Sequence, residues 1–279
     1  MKRHRFVTLV TGLIALSSAA HGQLHAAAEG PIAIGHHHLN VTDVEAHKKF
    51  WVEQIGAEVD RLGPMEVLKL PNLILILRER APSGSNRPTS VNHFGLQVRD
   101  IEGMVARLKS AGYPIVTREQ IPTAPGDLNP VPDQDTRVAF VLAPDALNVE
   151  LFENRELDVP VANHHIHFTT PDVAATKAWY VEHLGAAPGM RGSFQAADLP
   201  GVNLTFSPSP GEVKPTSGTV LDHIGFEVDG LEGLCQRLEA AGVELTVRYR
   251  EVPSLGLGIA FFTDPWGTLV ELTEGLDAL

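Results

Sequence analysis

The sequence predicts an α+β fold made of four βαβββ modules, and three observations support this prediction. The chain repeats itself at a nearly fixed offset over most of its length. Each of the two copies contains a second, fainter repeat, in which a short strand precedes an amphipathic helix. Several short apolar runs, separated by Gly, Pro or Asn, follow each helix, and such runs are typical of strands joined by turns.

The two copies align over long blocks. At an offset of 129, His36 to Ala57 matches His165 to Ala186 without a gap. Val91 to Gly112 matches at an offset of 130, and Val138 to Asn154 at an offset of 121. The first copy therefore carries about nine extra residues, in the segment IPTAPGDLNPVPDQD. That composition is typical of a surface loop, and a lid is one role for such a loop.

The helices of the first copy have recognisable ends. Thr42 and Glu45 are spaced as a capping box, and Gly56 is the expected stop of the first helix. Asp100 is the expected start of the second helix, whose apolar stripe ends before Gly112. Each helix is thus predicted to bury one face.

Composition excludes several classes of protein. The chain has 279 residues and a formal net charge of −12, which disfavours a nucleic-acid partner. Hydrophobic residues make up 43% and charged residues 20%, as in ordinary globular proteins. The single cysteine, Cys235, excludes an intramolecular disulfide and a cysteine-rich metal site. A metal site would have to use His and carboxylate ligands.

The first segment, residues 1–22, is predicted to be a secretory signal peptide. A positively charged start precedes the apolar run from Phe6 to Leu16, and Ala20-His21-Gly22 resembles a cleavage site. The run is shorter than the ~20 residues that span a bilayer. The sequence therefore predicts a periplasmic or secreted protein with no membrane attachment after cleavage. We expect a first domain over residues 31–155 and a second over 163–279, joined by the polar segment NRELDVPVA.

Histidines share one face of several predicted strands. Side chains alternate between the two faces of a strand, so Phe94 and Leu96 lie opposite His93 and Gly95. The glycine would leave room for a ligand. The same alternation places further imidazoles opposite the helix side, at His36, His38, His165, His167 and His223.

A metal site can be assembled from these residues. The last strand of each copy holds one carboxylate in an apolar run, Glu150 or Glu271, and a buried acid needs a partner. Two histidines and one carboxylate suit a facial triad that leaves coordination positions open. The predicted triads are His36, His93 and Glu150 in the first copy, and His165, His223 and Glu271 in the second.

The remaining histidines leave alternatives open. His38 and His167 lie two residues beyond predicted ligands, so each is either a ligand in its neighbour's place or a general base. His37 and His164 are predicted to face the helices and to be structural. The sequence identifies no partner for His47.

From about Ile34 to the C-terminus, the sequence resembles the vicinal oxygen chelate (VOC) superfamily. This superfamily groups glyoxalase I, bleomycin-resistance proteins, fosfomycin-resistance enzymes and extradiol dioxygenases. The most specific matches are DHIGFEV (222–228) and DPWGTLVEL (264–272), where a turn precedes the strand that bears the acidic ligand. In the first copy that turn reads APDA (143–146), which departs from the pattern.

The resemblance implies a fold and a ligand set. It implies four modules paired into two VOC domains with curved mixed sheets, with ligands on the first strand of each module and on the last strand. In the matched frame, His36 and His165 each stand seven residues before an Asp, which favours them as ligands over His38 and His167.

The resemblance leaves three kinds of function open. Two domains with His-His-Glu sets are similar to extradiol dioxygenases, which use Fe(II), although those enzymes place a tyrosine where this chain has Phe261 and Phe140. They also carry an acid–base histidine that has no counterpart here. Glyoxalase I uses a fourth, acidic ligand, which LILIL (73–77) and VNLTF (202–206) lack. A bleomycin-resistance-like protein would bind its ligand without a metal.

The sequence as a whole predicts an exported metalloprotein acting on a small molecule that chelates the metal through neighbouring oxygens. Fe(II) is the favoured metal, with Mn and Zn as alternatives, and His38 or His167 would move protons. Glyoxalase or lyase chemistry and metal-free ligand binding are the alternatives. A homodimer is the assembly to expect if the chain self-associates.

Overall fold

The computed structural model describes Leu24 and residues 30–279. The predicted signal peptide, residues 1–22, lies outside the described residues. No helix in this described part of the chain is long and apolar enough to cross a membrane.

Strands dominate the described residues. The first half contains β1 (Ile32–Val41), β2 (Glu58–Leu62), β3 (Met65–Leu70), β4 (Leu73–Glu79), β5 (Val91–Val98), β6 (Asn129–Val131), β7 (Thr136–Ala143) and β8 (Leu147–Glu153). The second half contains β9 (Val161–Thr170), β10 (Ala187–Arg191), β11 (Phe194–Leu199), β12 (Val202–Pro208), β13 (Leu221–Val228), β14 (Leu245–Val252), β15 (Leu257–Thr263) and β16 (Leu269–Glu274).

Five α-helices accompany the strands in the described residues. They are α1 (Val44–Lys48), which continues as a π-helix over Lys49–Ile55, α2 (Ile101–Ser110), α3 (Thr117–Gln120), α4 (Val173–Leu184) and α5 (Leu231–Ala240). Short 3₁₀ turns lie at Pro132–Gln134, Pro144–Ala146 and Leu276–Ala278.

The strands form two curved, mixed, eight-stranded sheets, as expected for paired βαβββ modules. Sheet one has the order β14-β15-β16-β13-β1-β4-β3-β2, and sheet two has the order β10-β11-β12-β9-β5-β8-β7-β6. Sheet one therefore joins the first module to the fourth, and sheet two joins the second to the third. This arrangement corrects the expectation that the modules within 31–155, and those within 163–279, pair with each other.

The connections explain this pairing. Only residues 154–160 separate β8 from β9, so the third module is placed directly beside the second, where β9 pairs antiparallel with β5. The connections at 80–90 and 209–220 are longer and carry the chain from one sheet to the other. The first and fourth modules then meet through the antiparallel pair β1 and β13.

Each sheet curls until turns at its opposite edges touch. In sheet one, Gly63 lies in the β2–β3 turn with φ +57°, and the carbonyl oxygen of Ser254 lies 2.5 Å from where a Cβ would stand. In sheet two, the Asp133 carboxylate lies 2.8 Å from the equivalent point at Gly192. Glycine is favoured at both turns because φ is positive at each, and at Gly63 a Cβ would also collide with the backbone of the opposite edge. The inner face of each sheet is thereby partly enclosed.

The extra residues of the first copy form more than a loop. Asn129–Val131 within that segment is β6, which pairs antiparallel with β7 and completes the edge of sheet two. The segment therefore takes part in the curled edge of the sheet rather than lying wholly outside it.

The first helix has a different cap from the one predicted. Asp43 is the N-cap, and its carboxylate accepts a hydrogen bond from the amide of Ala46 at 3.0 Å. The Thr42 hydroxyl instead donates to Asp145 at 2.6 Å, and Asp145 also lies 3.1 Å from Nε2 of His47. Asp145 therefore links α1 to the APDA turn (143–146), the turn that departs from the family pattern. It also supplies the partner for His47 that the sequence did not identify.

The main hydrophobic core is shared by both sheets. Its members come from the helices and from strands of both sheets, so the helix-bearing faces pack against each other. For example, the rings of Trp51, in the first module, and Phe94, on β5, are stacked with centroids 6.0 Å apart. Burial of large aromatic side chains of this kind stabilises the fold by several kcal/mol for each residue. The opposite, inner faces remain available for polar side chains.

A buried carboxylate anchors the C-terminal segment to sheet one. Oε1 of Glu227 accepts hydrogen bonds from the backbone amides of Gly275 at 2.6 Å and Leu276 at 2.9 Å, and Oε2 accepts from the Thr273 hydroxyl at 2.6 Å. Leu276 packs among the apolar residues on the inner face. Burial nevertheless dominates and raises the pKa of Glu227 from 4.5 to about 7.

Replacing Glu227 with Gln is expected to flatten the pH dependence of stability. Because the folded chain binds this proton more tightly than the unfolded chain, the free energy of unfolding falls as the pH rises from 4.5 to about 7, by about 3 kcal/mol at most. Gln97 at the equivalent position shows that an amide fits there. Urea unfolding at pH 5 and pH 8 would test this expectation, and equal pH dependence in the two proteins would contradict it.

Candidate metal centres

Two groups of His and Glu side chains could each hold a divalent metal in the described residues. We call His36, His223 and Glu271 the cavity cluster, and His93, Glu150, His165 and His167 the arginine cluster. In each group, one donor atom from every residue lies within 4.8 Å of the others. Both groups lie on the inner faces of the sheets.

The same strand register builds both clusters. In sheet one, His36 on β1 lies opposite Gly225 on β13, which in turn lies beside Glu271 on β16. In sheet two, Gly95 on β5 lies between His165 and Glu150 in the same way. Each glycine separates a histidine and a glutamate that meet above it.

The room over these glycines is filled by the protein itself. A Cβ on Gly225 would stand 2.1 to 2.6 Å from ring atoms of His36, and a Cβ on Gly95 would stand 2.1 to 2.9 Å from those of His165. The sequence suggested that each glycine leaves space for a ligand. Instead, it lets an imidazole lie directly over the backbone and reach the carboxylate.

The cavity cluster converges on one carboxylate oxygen. Nε2 of His36 and Nε2 of His223 both lie 2.9 Å from Oε2 of Glu271. Burial opposes the charge of Glu271, but the two imidazoles outweigh this effect and hold its pKa well below the ordinary value. Two imidazole nitrogens and one carboxylate on neighbouring strands form the donor set of a three-ligand metal site.

A second carboxylate supports His223 from behind. Nδ1 of His223 lies 2.8 Å from Oδ2 of Asp222, whose other oxygen accepts from Asn40 at 2.8 Å and from the amide of Gly218 at 2.7 Å. Burial opposes protonation of His223, but Asp222 and Glu271 outweigh it and raise its pKa. A carboxylate behind a ligating histidine fixes the ring and increases its basicity.

His38 lies at the wall of the same site. Its ring is 4.5 Å from that of His223, and its Nε2 has no hydrogen-bond partner within the described residues. Burial and the neighbouring His223 lower the pKa of His38 to about 3, so the ring is neutral near pH 7.

The cavity cluster opens into a cavity of about 370 Å³. The walls are mostly apolar, with Leu62, Ile76, Leu257 and Phe261 among the lining residues. Arg78, Arg250 and the polar residues of the cluster also line it, and both arginines are exposed side chains. No ion pair involves either arginine in the part of the chain that the structure describes. The cavity thus combines apolar walls, a metal-type donor set and positive charge.

The arginine cluster has similar ligands and different surroundings. Nε2 of His93 lies 2.9 Å from Oε2 of Glu150, and Nε2 of His165 lies 3.1 Å from the same atom. The ring of His167 lies 4.5 Å from that of His93, and its Nε2 is bonded to the Ser207 hydroxyl at 2.8 Å. Burial lowers the pKa of His165 and of His167 well below the ordinary value, so both rings are neutral.

A guanidinium group stands beside this second carboxylate. The terminal nitrogen Nη2 of Arg191 lies 3.8 Å from Oε2 of Glu150, and the Arg191 side chain is only 11% exposed. Burial lowers the pKa of Arg191, but a guanidinium stays charged at every physiological pH. Burial opposes the charge of Glu150 as well, yet the neighbouring imidazoles and Arg191 hold its pKa well below the ordinary value.

Bulges explain why the strand alternation fails at one histidine. In β9 the register passes from His165 to Asn163 and leaves His164 unpaired, and in β1 it leaves Gly35 unpaired in the same way. His164 therefore does not face the helices as predicted. Its Nδ1 lies 2.9 Å from Nδ1 of His165 and 3.5 Å from Nη1 of Arg191.

The structure regroups the predicted ligands. The six predicted ligands all belong to the two clusters, but His36 joins His223 and Glu271, whereas His165 joins His93 and Glu150. The grouping by copy is corrected because the sheets pair modules across the copies. Of the predicted general bases, His167 belongs to the arginine cluster, whereas His38 lies beside the cavity cluster as a lining residue of its cavity.

Sequence reasoning missed Arg191 and the role of Asp222. Arg191 corresponds, at the repeat offset of 129, to Leu62, and Asp222 corresponds to Asn92. A position-by-position comparison of the two copies for changes of charge, rather than for shared residues, would have singled out both. The fold then places each difference beside a predicted ligand.

Solved structures share this fold. Glyoxalase I from Zea mays superposes with a TM-score of 0.67 at 18% identity, over 88% of this chain and 94% of that chain. A Bacillus subtilis protein, provisionally described as a dioxygenase, superposes with a TM-score of 0.61 at 16% identity, over 87% of this chain and 84% of that chain. At these identities the likeness concerns the fold alone.

Sequence comparison identifies the family. No curated protein matches the chain. The model of the glyoxalase/bleomycin resistance protein/dioxygenase superfamily matches twice, over residues 33–124 and 162–272, which together make up well over half of the chain. The protein therefore belongs to the glyoxalase/bleomycin resistance protein/dioxygenase superfamily.

Proposed function

We propose that the protein is a metal-dependent enzyme whose active site is the cavity cluster, and that its substrate is a small molecule with two neighbouring oxygens. The observation that carries this proposal is the convergence of His36, His223 and Glu271 at the wall of a cavity of about 370 Å³. That volume suits a molecule of small-metabolite size.

The residues of this cluster fit a divalent metal. His36, His223 and Glu271 would hold it, and Asp222 would keep the His223 ring in the ligating orientation. Ligands from three neighbouring strands on one side leave coordination positions open toward the cavity. The metal, when bound, would supply Lewis-acid chemistry or, as Fe(II), a binding site for O₂.

The chain itself would bind and orient the substrate. The apolar walls around Leu257 and Phe261 would exclude water from the reacting oxygens. Arg78 and Arg250 would attract an anionic group on the substrate, since they line the same cavity. His38, which also lines the cavity and is neutral near pH 7, would be the candidate to accept a proton from a substrate oxygen.

An extradiol-dioxygenase-like reaction is the first candidate. It is favoured over glyoxalase I chemistry because the site lacks the fourth, acidic ligand that glyoxalase I uses. That ligand would have to come from β4, but the β4 residue beside His36 is Ile74 and the one beside His38 is Ile76. Oxygen-independent, lyase-type chemistry is the second candidate. It is favoured by Phe261, because this side chain packs against His223 with ring centroids 5.4 Å apart and has no hydroxyl, at the position where extradiol dioxygenases carry a tyrosine.

Reconstitution with Fe(II), Mn(II) or Zn(II) followed by two activity panels would test the proposal. One panel measures O₂ uptake with catechols, and the other measures turnover of thiol adducts of methylglyoxal without O₂. We expect metal-dependent turnover in one panel, with a higher kcat/KM for substrates that carry a carboxylate than for their neutral analogues. Substrate binding without turnover under every metal would instead indicate a binding protein.

A further inference from the structure

We propose that Arg191 takes the place of a metal in the arginine cluster, so that each chain binds one divalent metal, in the cavity cluster. This inference rests on the proposed function, which places the metal in the cavity cluster. It adds that the second set of His and Glu residues is a permanent internal ion network.

The two clusters differ in the charges that surround their ligands. At the cavity cluster, Glu271 and the neighbouring Asp222, behind His223, supply two negative charges, which match a divalent cation. In the arginine cluster, the charge of Glu150 is already balanced by Arg191, 3.8 Å away. A divalent ion there would lie close to a fixed positive charge in a buried setting, where repulsion is poorly screened.

The residues that hydrogen-bond to the ligating histidines from behind also favour a metal in the cavity cluster. Nδ1 of His223 contacts the carboxylate of Asp222, whereas Nδ1 of His93 contacts the amide oxygen of Asn92, at 2.8 Å in both cases. A carboxylate makes the imidazole a stronger donor to a metal than an amide does. The cluster that holds Arg191 therefore also lacks this anionic support.

The surroundings of Arg191 form a built site for its guanidinium. Its Cζ lies 5.7 Å from the ring centroid of Phe152, and Nη1 lies 3.5 Å from Nδ1 of His164. In sheet one, which holds the cavity cluster, the equivalent positions are Leu62 for Arg191, Gly35 for His164 and Thr273 for Phe152. Three positions that are close together in space differ between the two sheets, which indicates that the guanidinium is an integral part of the arginine cluster.

Metal titration of exchanged variants would test this inference without any activity assay. Zn²⁺ would be titrated calorimetrically, and the bound metal of the dialysed protein would be measured by elemental analysis. We expect one Zn²⁺ per chain in the wild type and about two in the double variant Asn92→Asp/Arg191→Leu. The reciprocal variant Leu62→Arg/Asp222→Asn should bind at least ~100-fold more weakly at the cavity cluster.

Single variants would locate the metal in the wild type. Glu271→Gln should remove the bound Zn²⁺, and Glu150→Gln should leave it in place. Two Zn²⁺ per wild-type chain, or loss of the metal in Glu150→Gln alone, would overturn the inference. A wild type without metal would overturn the proposed function and, with it, the single metal per chain. The double variant would then still test the role of Arg191, because failure to gain a metal would refute that role.

Discussion

Replacing Glu271 with Gln is expected to weaken Zn²⁺ binding at the cavity cluster by at least about 100-fold. Changes behind a metal ligand already cost about 10- to 100-fold in affinity, and this change removes a ligand charge. Glu271 is the only anion among the three residues of the cavity cluster, and His36 and His223 both contact its Oε2. The low pKa of Glu271 means that the wild-type carboxylate is ionised near neutral pH.

The substitution should spare the fold. The amide oxygen of Gln can accept from both imidazoles, as Oε2 of Glu271 does, so the apo protein should keep its melting temperature within a few degrees. The matched control is Glu150→Gln, which makes the same change in the arginine cluster. Calorimetric titration with Zn²⁺ and circular dichroism would measure both effects. Undiminished affinity in Glu271→Gln would remove Glu271 from the ligand set.

Local features of the fold could be predicted from the sequence because they depend on neighbouring residues. The module pattern follows from hydrophobic periodicity and turn residues, and Asp100 caps α2 through the amide of Gly103, as its position suggested. The face on which His36, His93 and His223 lie follows from alternation along single strands. These inferences needed no knowledge of which strands pair.

The pairing of the modules could not be predicted, for a reason that the repeat itself creates. His36 and Glu271 meet although 235 residues separate them. Because the two copies carry the same residues at matching positions, a triad within one copy and a triad across copies fit the sequence equally well. Only the short connection between β8 and β9 distinguishes them, and its effect appears in the assembled sheets.

Two smaller errors have local physical causes. A bulge inserts one residue without marking it in the hydrophobic pattern, which is why the predicted face of His164 was wrong. Arg191 ends the edge strand β10, where a charged residue is ordinarily read as solvent-exposed. The curl of sheet two instead brings it to Glu150.

Replacing Gly225 with Ala is expected to abolish the metal site of the cavity cluster by displacing His36. The new methyl group would stand 2.1 to 2.6 Å from ring atoms of His36, far inside van der Waals contact. Since Gly225 lies between His36 and Glu271 in the register, the imidazole has to tilt away from the carboxylate that it contacts at 2.9 Å. We expect a loss of Zn²⁺ affinity of about 100-fold or more.

Gly95→Ala provides a matched control, because the methyl group would meet His165 in the same way. Both substitutions should destabilise the folded chain by a comparable amount, about 1 to 3 kcal/mol, through overpacking against an imidazole. If the metal lies in the cavity cluster, only Gly225→Ala should lose affinity for Zn²⁺. The difference between the two variants therefore separates ligand displacement from loss of stability, and equal losses of affinity would mean that His36 is not a ligand of the bound metal.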